Sequence, residues 1–505
     1  MYVSIKKDLL VKVLAHANRI IEKRQASPVF GCVLFEANND YLKITATNMD
    51  MTIIDIIDFN PVNCIINVPG VYCIPVNLLY EISKKFNNNS NIVLQSNADK
   101  NEIQITNNKS NFSIHYIDSS AFPPLDLVNE SNDYIEFQMR VDDLRNAIDV
   151  AKVAMSQDII RTQLNGIYIH HNDQDDSLRF VATDLFRISC VSMKSPNNSN
   201  NIKPIIISKK TVAELLHMLS DINKNNIINI KTNDKQIIME ASIDDNIKSI
   251  YISRIVNGSF PEYKTALEIK NDKVLVVNVK DFINAIDRVD TIVSDMSNSI
   301  QLNINNNKLT VNGISKELGS ATEELDCKYY YKADNDMAIN DIHELNNNNV
   351  KKNVENENII EDDVLEEYDW NSEDSKKDLE INYDNENNDI DNNNENNSIN
   401  GNNKGNNEEN LNYINNSENK KNEENNMNSS DINFSNREDI NVNKEFKICF
   451  NSKYLLELIK QISTKDVYIY LNTSVSPTLI KPDPNIVSSN LSLVSVIMPV
   501  EIVHS

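Results

Sequence analysis

The chain has 505 residues, which is too long for one hydrophobic core and fits three or four domains. Its net charge is −25, but residues 333–444 hold 29 acidic and 9 basic residues, so the other 393 residues carry only −5 and a local basic surface is not excluded. Six scattered cysteines without a CxxC pair argue against a disulfide framework or a zinc site, and no apolar run is long enough to span a membrane.

The N-terminus predicts a strand at Tyr2–Ile5 and a helix from Lys6 onward, without a signal peptide. Apolar residues recur at helical spacing in three places, starting at Leu9, Leu144 and Phe282, each directly after an aspartate. These aspartates suit the positive end of the helix dipole. The period of about 135 residues indicates one domain present in three copies.

A second predicted helix follows in each copy, with a shared glutamate at Glu81, Glu214 and Glu457. Short stretches of alternating apolar residues surround both helices and predict strands. Each copy is therefore expected to be two helices packed on antiparallel strands, which is an α+β arrangement.

An insertion interrupts the third copy. Glu81 and Glu214 are 133 positions apart, whereas Glu214 and Glu457 are 243 positions apart, and the excess matches residues 333–444. This segment is rich in Asn, Asp and Glu and has too few apolar residues to form a core, so it is predicted to be disordered. The free-energy cost of closing a loop grows only logarithmically with its length, by about 0.6 kcal/mol for each doubling, so the fold tolerates the insertion.

Catalytic patterns are missing from the sequence. It contains no GxxxxGK[ST], GxGxxG or HExxH motif, and the seven histidines are dispersed apart from the His170-His171 pair. We interpret these histidines as solvated or hydrogen-bonded side chains. The sequence therefore predicts a non-enzymatic protein without a cofactor or a metal.

Four motifs in order resemble the bacterial DNA sliding clamp, the beta subunit of the replicative DNA polymerase III holoenzyme. They are Arg161-Thr-Gln-Leu-Asn-Gly166, Val181-Ala-Thr-Asp184 followed by Arg187, Phe260-Pro-Glu-Tyr263 and Val496-Ile-Met-Pro-Val500. The resemblance covers the chain except for 333–444. It implies clamp domains at 1–130, 131–267 and 268–505, the last interrupted by the insertion.

The resemblance also implies an assembly. Two subunits would join head to tail as a homodimer, so that each supplies half of a ring of six domains. Twelve helices would line the hole, and duplex DNA would pass through it without base recognition. The expected function is that of a processivity factor in the cytoplasm. An alternative is a scaffold that forms no ring or is autoinhibited, and that uses the acidic insertion as its binding element.

Basic residues on the helices are candidates for phosphate contact. In the first two copies they are Lys6, Lys12, Arg19, Arg140, Arg145 and Lys152, and Arg24 matches a DNA-contact position of the family. The alternative for the helix positions is a solvated charged face, because Asp149 and other acidic residues are interspersed.

The resemblance further implies a pocket that takes a short peptide from the polymerase, the clamp loader and repair proteins. Carried onto this chain, its lining is Arg161, Leu164, Thr183, Arg187, Ile188, Pro261, Ala266, Val475, Val496 and Met498. The alternative is that Leu164, Ile188 and Val496 are ordinary core residues. Where the family has Gly-His, this chain has Leu185-Phe186, and it continues past Met-Pro-Val as Glu501–Ser505.

Overall fold

The structure is a computed structural model that describes residues 1–21, 27–124, 134–158, 160–293, 298–305, 307–331, 445–486 and 490–500. Three of the sequence predictions fall outside these residues: Arg24, the insertion at 333–444 and the terminal segment Glu501–Ser505.

Three similar sets of elements follow one another along the chain. The first has β1 (Tyr2–Lys6), α1 (Lys7–Ile20), β2 (Cys32–Ala37), β3 (Tyr41–Thr47), β4 (Met51–Asp58), β5 (Cys64–Val68), β6 (Gly70–Pro75), α2 (Val76–Lys84), β7 (Asn91–Asn97), β8 (Glu102–Asn107) and β9 (Ser110–His115). The second has β10 (Ile135–Arg140), α3 (Val141–Ala151), β11 (Gly166–Asn172), β12 (Ser177–Thr183), β13 (Arg187–Lys194), β14 (Ile205–Ser208), α4 (Lys209–Ser220), β15 (Ile227–Thr232), β16 (Gln236–Asp244) and β17 (Ile247–Arg254). After the linker helix α5 (Lys264–Leu267), the third has β18 (Lys273–Asn278), α6 (Val279–Asp290), β19 (Ser299–Asn305), β20 (Lys308–Ser315), β21 (Gly319–Asp326), β22 (Lys328–Tyr331), β23 (Phe446–Asn451), α7 (Ser452–Ile459), β24 (Asp466–Leu471), β25 (Thr478–Pro482) and β26 (Leu491–Ile497).

The first helices of the three domains bury the same face. In α3 and α6 the first residues, Val141 and Val279, are buried, and so are Leu144 and Phe282 and the positions three, four and seven residues after them, as helical spacing requires. In α1 the equivalent residue is Leu10, whereas Leu9 is only half-buried. The sequence alignment that placed Leu9 opposite Leu144 is therefore wrong by one residue, because the aspartate stands two positions before the buried leucine in α1.

Two sheets continue from one domain into the next. The eight-stranded sheet has the order β10-β15-β16-β17-β4-β3-β2-β6, and the nine-stranded sheet has the order β14-β11-β12-β13-β26-β25-β24-β18-β22. Strand β17 of the second domain thus pairs with β4 of the first, and β26 of the third pairs with β13 of the second, all antiparallel. Each junction satisfies backbone groups that would otherwise form an open sheet edge.

Two further sheets lie at the outer ends. They have the orders β5-β1-β7-β8-β9 and β21-β20-β19-β23. Within the described part of the chain, β9 and β21 are sheet edges. The repeat makes β9 the equivalent of β17 and β26, and β21 the equivalent of β4 and β13. In the second domain both strands of this kind pair with a neighbouring domain. In the described residues of the first domain β9 has no such partner, and in those of the third domain β21 has none.

The insertion replaces a very short connection. Strand β22 pairs with β18 as β5 pairs with β1, and β23 leads into α7 as β6 leads into α2. In the first domain only Pro69 separates β5 from β6. Both ends of the insertion meet at Lys273, whose Nζ lies 5.2 Å from the ring centre of Tyr331 and 5.4 Å from that of Phe446. The chain therefore leaves and re-enters the third domain at nearly the same place.

The predicted fold class is confirmed for the three domains, each with two helices on antiparallel strands. The aspartates predicted at the helix starts also lie in the first turns of α1, α3 and α6.

Candidate functional site

A buried histidine joins the first and second domains. His16 on α1 is 2% exposed, and its Nδ1 and Nε2 lie 3.1 Å and 3.2 Å from carboxylate oxygens of Asp55 and Asp221. Ser249 of β17 donates its hydroxyl to the other Asp55 oxygen. Burial would lower the pKa of His16, but the hydrogen bonds to Asp221 and Asp55 raise it to about 9. At neutral pH the imidazolium therefore donates to both carboxylates.

Two of the predicted DNA-contact residues are ion-paired across the same junction. Arg19 lies 3.7 Å from Glu214 and 3.4 Å from Asp221, and Lys12 lies 3.1 Å from Asp244. These carboxylates belong to α4, to the residue that follows it, and to β16. Much of the charge of Arg19 and Lys12 is thus balanced within the protein.

The remaining predicted DNA-contact residues stand in different surroundings. Lys152 pairs with Asp149 at 2.5 Å, three positions earlier. Arg140 and Arg145 are exposed at the start of α3, and Lys6 is half-buried at the start of α1. Arg140 and Lys6 occupy the same position in the repeat, as the last residue of the strand before the first helix. Positive charge therefore recurs where these helices begin.

A buried arginine joins the second and third domains. Arg187, the first residue of β13, is 7% exposed and donates from Nε to Asp184 at 3.1 Å. Its Nη1 donates to Glu457 on α7, and its guanidinium carbon lies 4.3 Å from the ring centre of Tyr454. These contacts hold the guanidinium at the second junction, between Asp184 of the second domain and Glu457 of the third.

The predicted pocket residues divide by exposure. Leu164, Thr183, Arg187 and Val496 are buried, Ile188, Pro261 and Ala266 are half-buried, and Arg161, Val475 and Met498 are exposed. The strand order and register bring Thr183, Arg187, Ile188, Val496 and Met498 to one end of the adjacent strands β12, β13 and β26. Val475 precedes β25 at the same end. Helix α5, with Ala266, contacts β26, whereas Arg161 and Leu164 lie on the segment that enters β11.

The turn between β12 and β13 projects two apolar side chains at this end of the sheet. The Asp184 carboxylate accepts the backbone N–H groups of Phe186 and Arg187, and the Thr183 hydroxyl accepts that of Leu185. Leu185 has a φ of 76° and is 46% exposed, while Phe186 is 60% exposed. The Phe186 carbonyl accepts the backbone N–H of Met498 at 2.8 Å. The departure from Gly-His thus adds exposed apolar surface directly beside Met498.

The linker between the second and third domains is fixed by its aromatic motif. The Tyr263 hydroxyl lies 2.7 Å from His170 Nε2, and His170 Nδ1 lies 2.7 Å from the His171 carbonyl oxygen. Because a carbonyl only accepts, Nδ1 carries the proton and Nε2 accepts from the tyrosine. Burial lowers the pKa of His170, which favours this neutral form. The anchor holds in place the linker that carries Pro261 and Ala266.

The motif before β11 ends in a glycine that the sheet requires. A Cβ at Gly166 would lie 2.2 Å from the Ile207 carbonyl oxygen on the neighbouring strand β14. A side chain is therefore excluded at this position, and strand packing alone accounts for the glycine, with no need to invoke ligand binding.

Sequence reasoning missed the residues that bind the domains together. It found Glu457 only as a position shared with Glu81 and Glu214, and it gave no partner to Arg187. It also left His16 among the dispersed histidines. The signal for Glu457 was its recurrence at the sixth position of each second helix, but pairing across domains cannot be derived from spacing within one domain.

Other kinds of site are not seen in the described residues. No three His, Cys, Asp or Glu side chains there are grouped to hold a metal ion. No helix in the described ranges is long and apolar enough to cross a membrane. All six cysteines are buried free thiols.

Sequence models of the DNA polymerase III beta subunit match all three domains. The N-terminal domain matches residues 1–126, the central domain 138–262, and the C-terminal domain 264–361 and 414–501. The chain belongs to the DNA polymerase III beta subunit family. The break in the third match lies within the acidic insertion.

Relatives and solved structures of sliding clamps agree with this assignment. The beta sliding clamp of Caulobacter vibrioides is 28% identical over 333 residues, 65% of this chain and 85% of the relative, and that of Rickettsia felis is 24% identical over 344 residues, 66% and 86%. A DnaN sliding clamp from Bartonella birtlesii has the same fold, with a TM-score of 0.70 at 23% identity over 99% of this chain and 100% of the other. The Caulobacter crescentus clamp gives 0.69 at 22%, with the same coverage.

As a member of this family, the chain is a processivity factor of DNA replication and a non-catalytic polymerase subunit, as the sequence predicted. The scaffold alternative is not favoured by these matches.

Proposed function

We propose that two copies of the chain close head to tail into a ring of six domains around duplex DNA. The observation that carries this proposal is the pair of strands left over by the repeat. Two junctions join β17 to β4 and β26 to β13, and the same rule would join β9 of one copy to β21 of the other. A contact between two different surfaces closes into a ring when the rotation permits it.

Exposed apolar side chains at both edges support this contact. Phe112 on β9 is 44% exposed, and Ile314 and Leu318 at the β20–β21 hairpin are 72% and 63% exposed. Apolar groups of this kind, close to an unpaired edge, are typical of an interface that is covered in the assembly. The edge strand β21 also carries Glu323 and Glu324, whereas Lys109 directly precedes β9. Arg288 and Lys308 of the same copy pair with these two glutamates through exposed side chains, so charge alone does not decide the contact.

DNA would contact the ring through phosphates alone. We assign this role to Arg24, Lys6, Arg140 and Arg145, with smaller contributions from Lys12, Arg19 and Lys152 because acidic neighbours balance their charge. Weak contacts of this type permit sliding, since the phosphates are chemically identical along the duplex and carry no sequence information.

The second junction would receive the peptide partners. The exposed Phe186, Met498 and Val475 lie at one end of neighbouring strands, beside the half-buried Ile188 and Pro261. We propose that short apolar motifs of the polymerase, clamp loader and repair proteins dock there, with Leu164, Thr183, Arg187, Ala266 and Val496 forming the supporting wall and Arg161 at the rim. The solved Bartonella clamp has griselimycin bound, and the Caulobacter clamp has polyethylene glycol bound.

A cytoplasmic location fits this role. All six cysteines are free, as is usual in a reducing compartment.

Retention on DNA tests the ring. We expect the protein, once loaded, to remain on closed circular duplex DNA during gel filtration and to be lost when one cut linearises the circle. Native mass spectrometry should show a dimer of the full chain at micromolar concentration. Equal retention on circular and linear DNA, or a folded protein that stays monomeric at high concentration, would contradict the proposal.

Replacing residues 332–444 by a single proline, as between β5 and β6, tests the role of the insertion. We expect the shortened protein to form the same dimer, because Tyr331 and Phe446, which flank the insertion, both contact Lys273. A dimer that forms only after the deletion would instead support autoinhibition by the insertion.

A further inference from the structure

We propose that Arg288 of one copy pairs with Glu81 of the other when the ring closes, which rests on the proposed ring. In the single chain each residue has a local partner. Arg288 donates to Glu323 at 2.9 Å and 2.7 Å, and Lys84 lies 3.6 Å from Glu81. All four side chains are at least 30% exposed, so solvent weakens both pairs and they can exchange partners.

The glutamate is assigned from its position in the repeat. Glu81, Glu214 and Glu457 are each the sixth residue of the second helix in their domain. Glu214 faces Arg19 of the first domain, and Glu457 faces Arg187 of the second. At both completed junctions this position therefore holds a carboxylate opposite an arginine of the adjoining domain. Glu81 stands at the one junction that a single chain does not complete.

The arginine is assigned from the first helix of the third domain. Arg288 is the tenth residue of α6, and its equivalent in α1 is His16. His16 crosses the first junction to Asp221, just beyond the second helix of the neighbouring domain. Arg19, which meets Glu214, is the thirteenth residue of α1, one turn further along the same helix face, and its equivalent in α6 is Thr291. We therefore take Arg288, one turn before Thr291, to supply the guanidinium at this junction. In the closed ring, Arg288 would thus face α2 of the other copy.

The exchange keeps every charge balanced. When Arg288 turns to Glu81 of the other copy, Glu323 loses its arginine while Lys84 of the other copy loses its glutamate. These two released groups have opposite charges and lie at the same interface. Two pairs within chains are replaced by two pairs between chains, which selects the contact between unlike edges over contacts between like edges.

Charge reversal in the full-length protein tests the pair. Sedimentation equilibrium should show that Glu81→Arg and Arg288→Glu each raise the dimer dissociation constant at least tenfold. The double variant should return it to within about threefold of the original value, because both interfaces of the ring then contain the reversed pair. The control Glu36→Arg reverses a carboxylate that pairs with Lys43 in the β2–β3 hairpin, and it should leave dimerisation unchanged.

The outcomes separate this inference from the ring itself. If both single variants dimerise normally while Ile314→Asp with Leu318→Asp abolishes the dimer, the ring stands and the Arg288–Glu81 pair is wrong. Failure of the double variant to recover while it remains folded by circular dichroism also overturns the pair. A wild-type protein that is monomeric throughout would refute the ring and the pair together.

Discussion

The two internal junctions have the same strand pairing, but different side chains make the contacts between the domains. At the first junction β17 pairs with β4, and the His16 imidazolium is enclosed between Asp55 and Asp221. At the second junction β26 pairs with β13, and Arg187 reaches Glu457 at the surface, beside exposed Phe186 and Met498. The same strand pairing therefore supports one junction that encloses a buried cation and one that leaves apolar side chains exposed.

The largest effect should come from removing the buried cation at the first junction. His16→Leu leaves the Asp55 carboxylate buried without its charged partner, so we expect a loss of about 3–5 kcal/mol in the free energy of unfolding. Urea denaturation measures it. The control His217→Leu, on the half-buried face of α4, should change stability far less. Equal effects of the two substitutions would contradict a special role for His16.

The same junction should weaken in alkaline solution. The pKa of His16 is about 9 in the folded chain, above its ordinary value of 6.5, so its stabilisation is complete below pH 6.5 and is lost as the pH rises through 9. The shift corresponds to about 3 kcal/mol. The free energies of unfolding of the wild type and of His16→Gln should therefore converge as the pH rises from 6.5 to 9.5. A constant difference across that range would show that the imidazole is not charged.

The second junction should respond in binding and not in stability. Phe186→Ala with Met498→Ala removes exposed apolar surface, so we expect a peptide with apolar anchors to bind about tenfold more weakly, which equals about 1.4 kcal/mol. Fluorescence anisotropy with a labelled peptide from the polymerase measures this change. Val62→Ala, at a residue 66% exposed in the first domain, is the matched control. Unchanged affinity of the double variant would remove the pocket from this junction.

The smallest effect should be on the salt dependence of DNA affinity. It distinguishes cations that are ion-paired at the first junction from cations that are exposed. Arg145→Ala should lower the slope of log affinity against log salt concentration by about 1, because one phosphate contact is lost. Lys12→Ala should lower it by less, since Asp244 already balances that charge. Titration of loaded clamp over several salt concentrations gives both slopes. A larger effect for Lys12 would reverse the proposed ranking.

Local periodicity in the sequence is enough to predict the two helices of each copy, the threefold repeat and the position of the insertion, because helical and strand spacings are local properties of the chain. The sequence also located the residues at the second junction through four motifs, although it aligned the first helix one residue early. The contacts across the junctions, such as His16 with Asp221 and Arg187 with Glu457, emerge only when the three domains are folded together. Residues more than 200 positions apart share no local pattern, so their pairing depends on how the sheets of adjacent domains join.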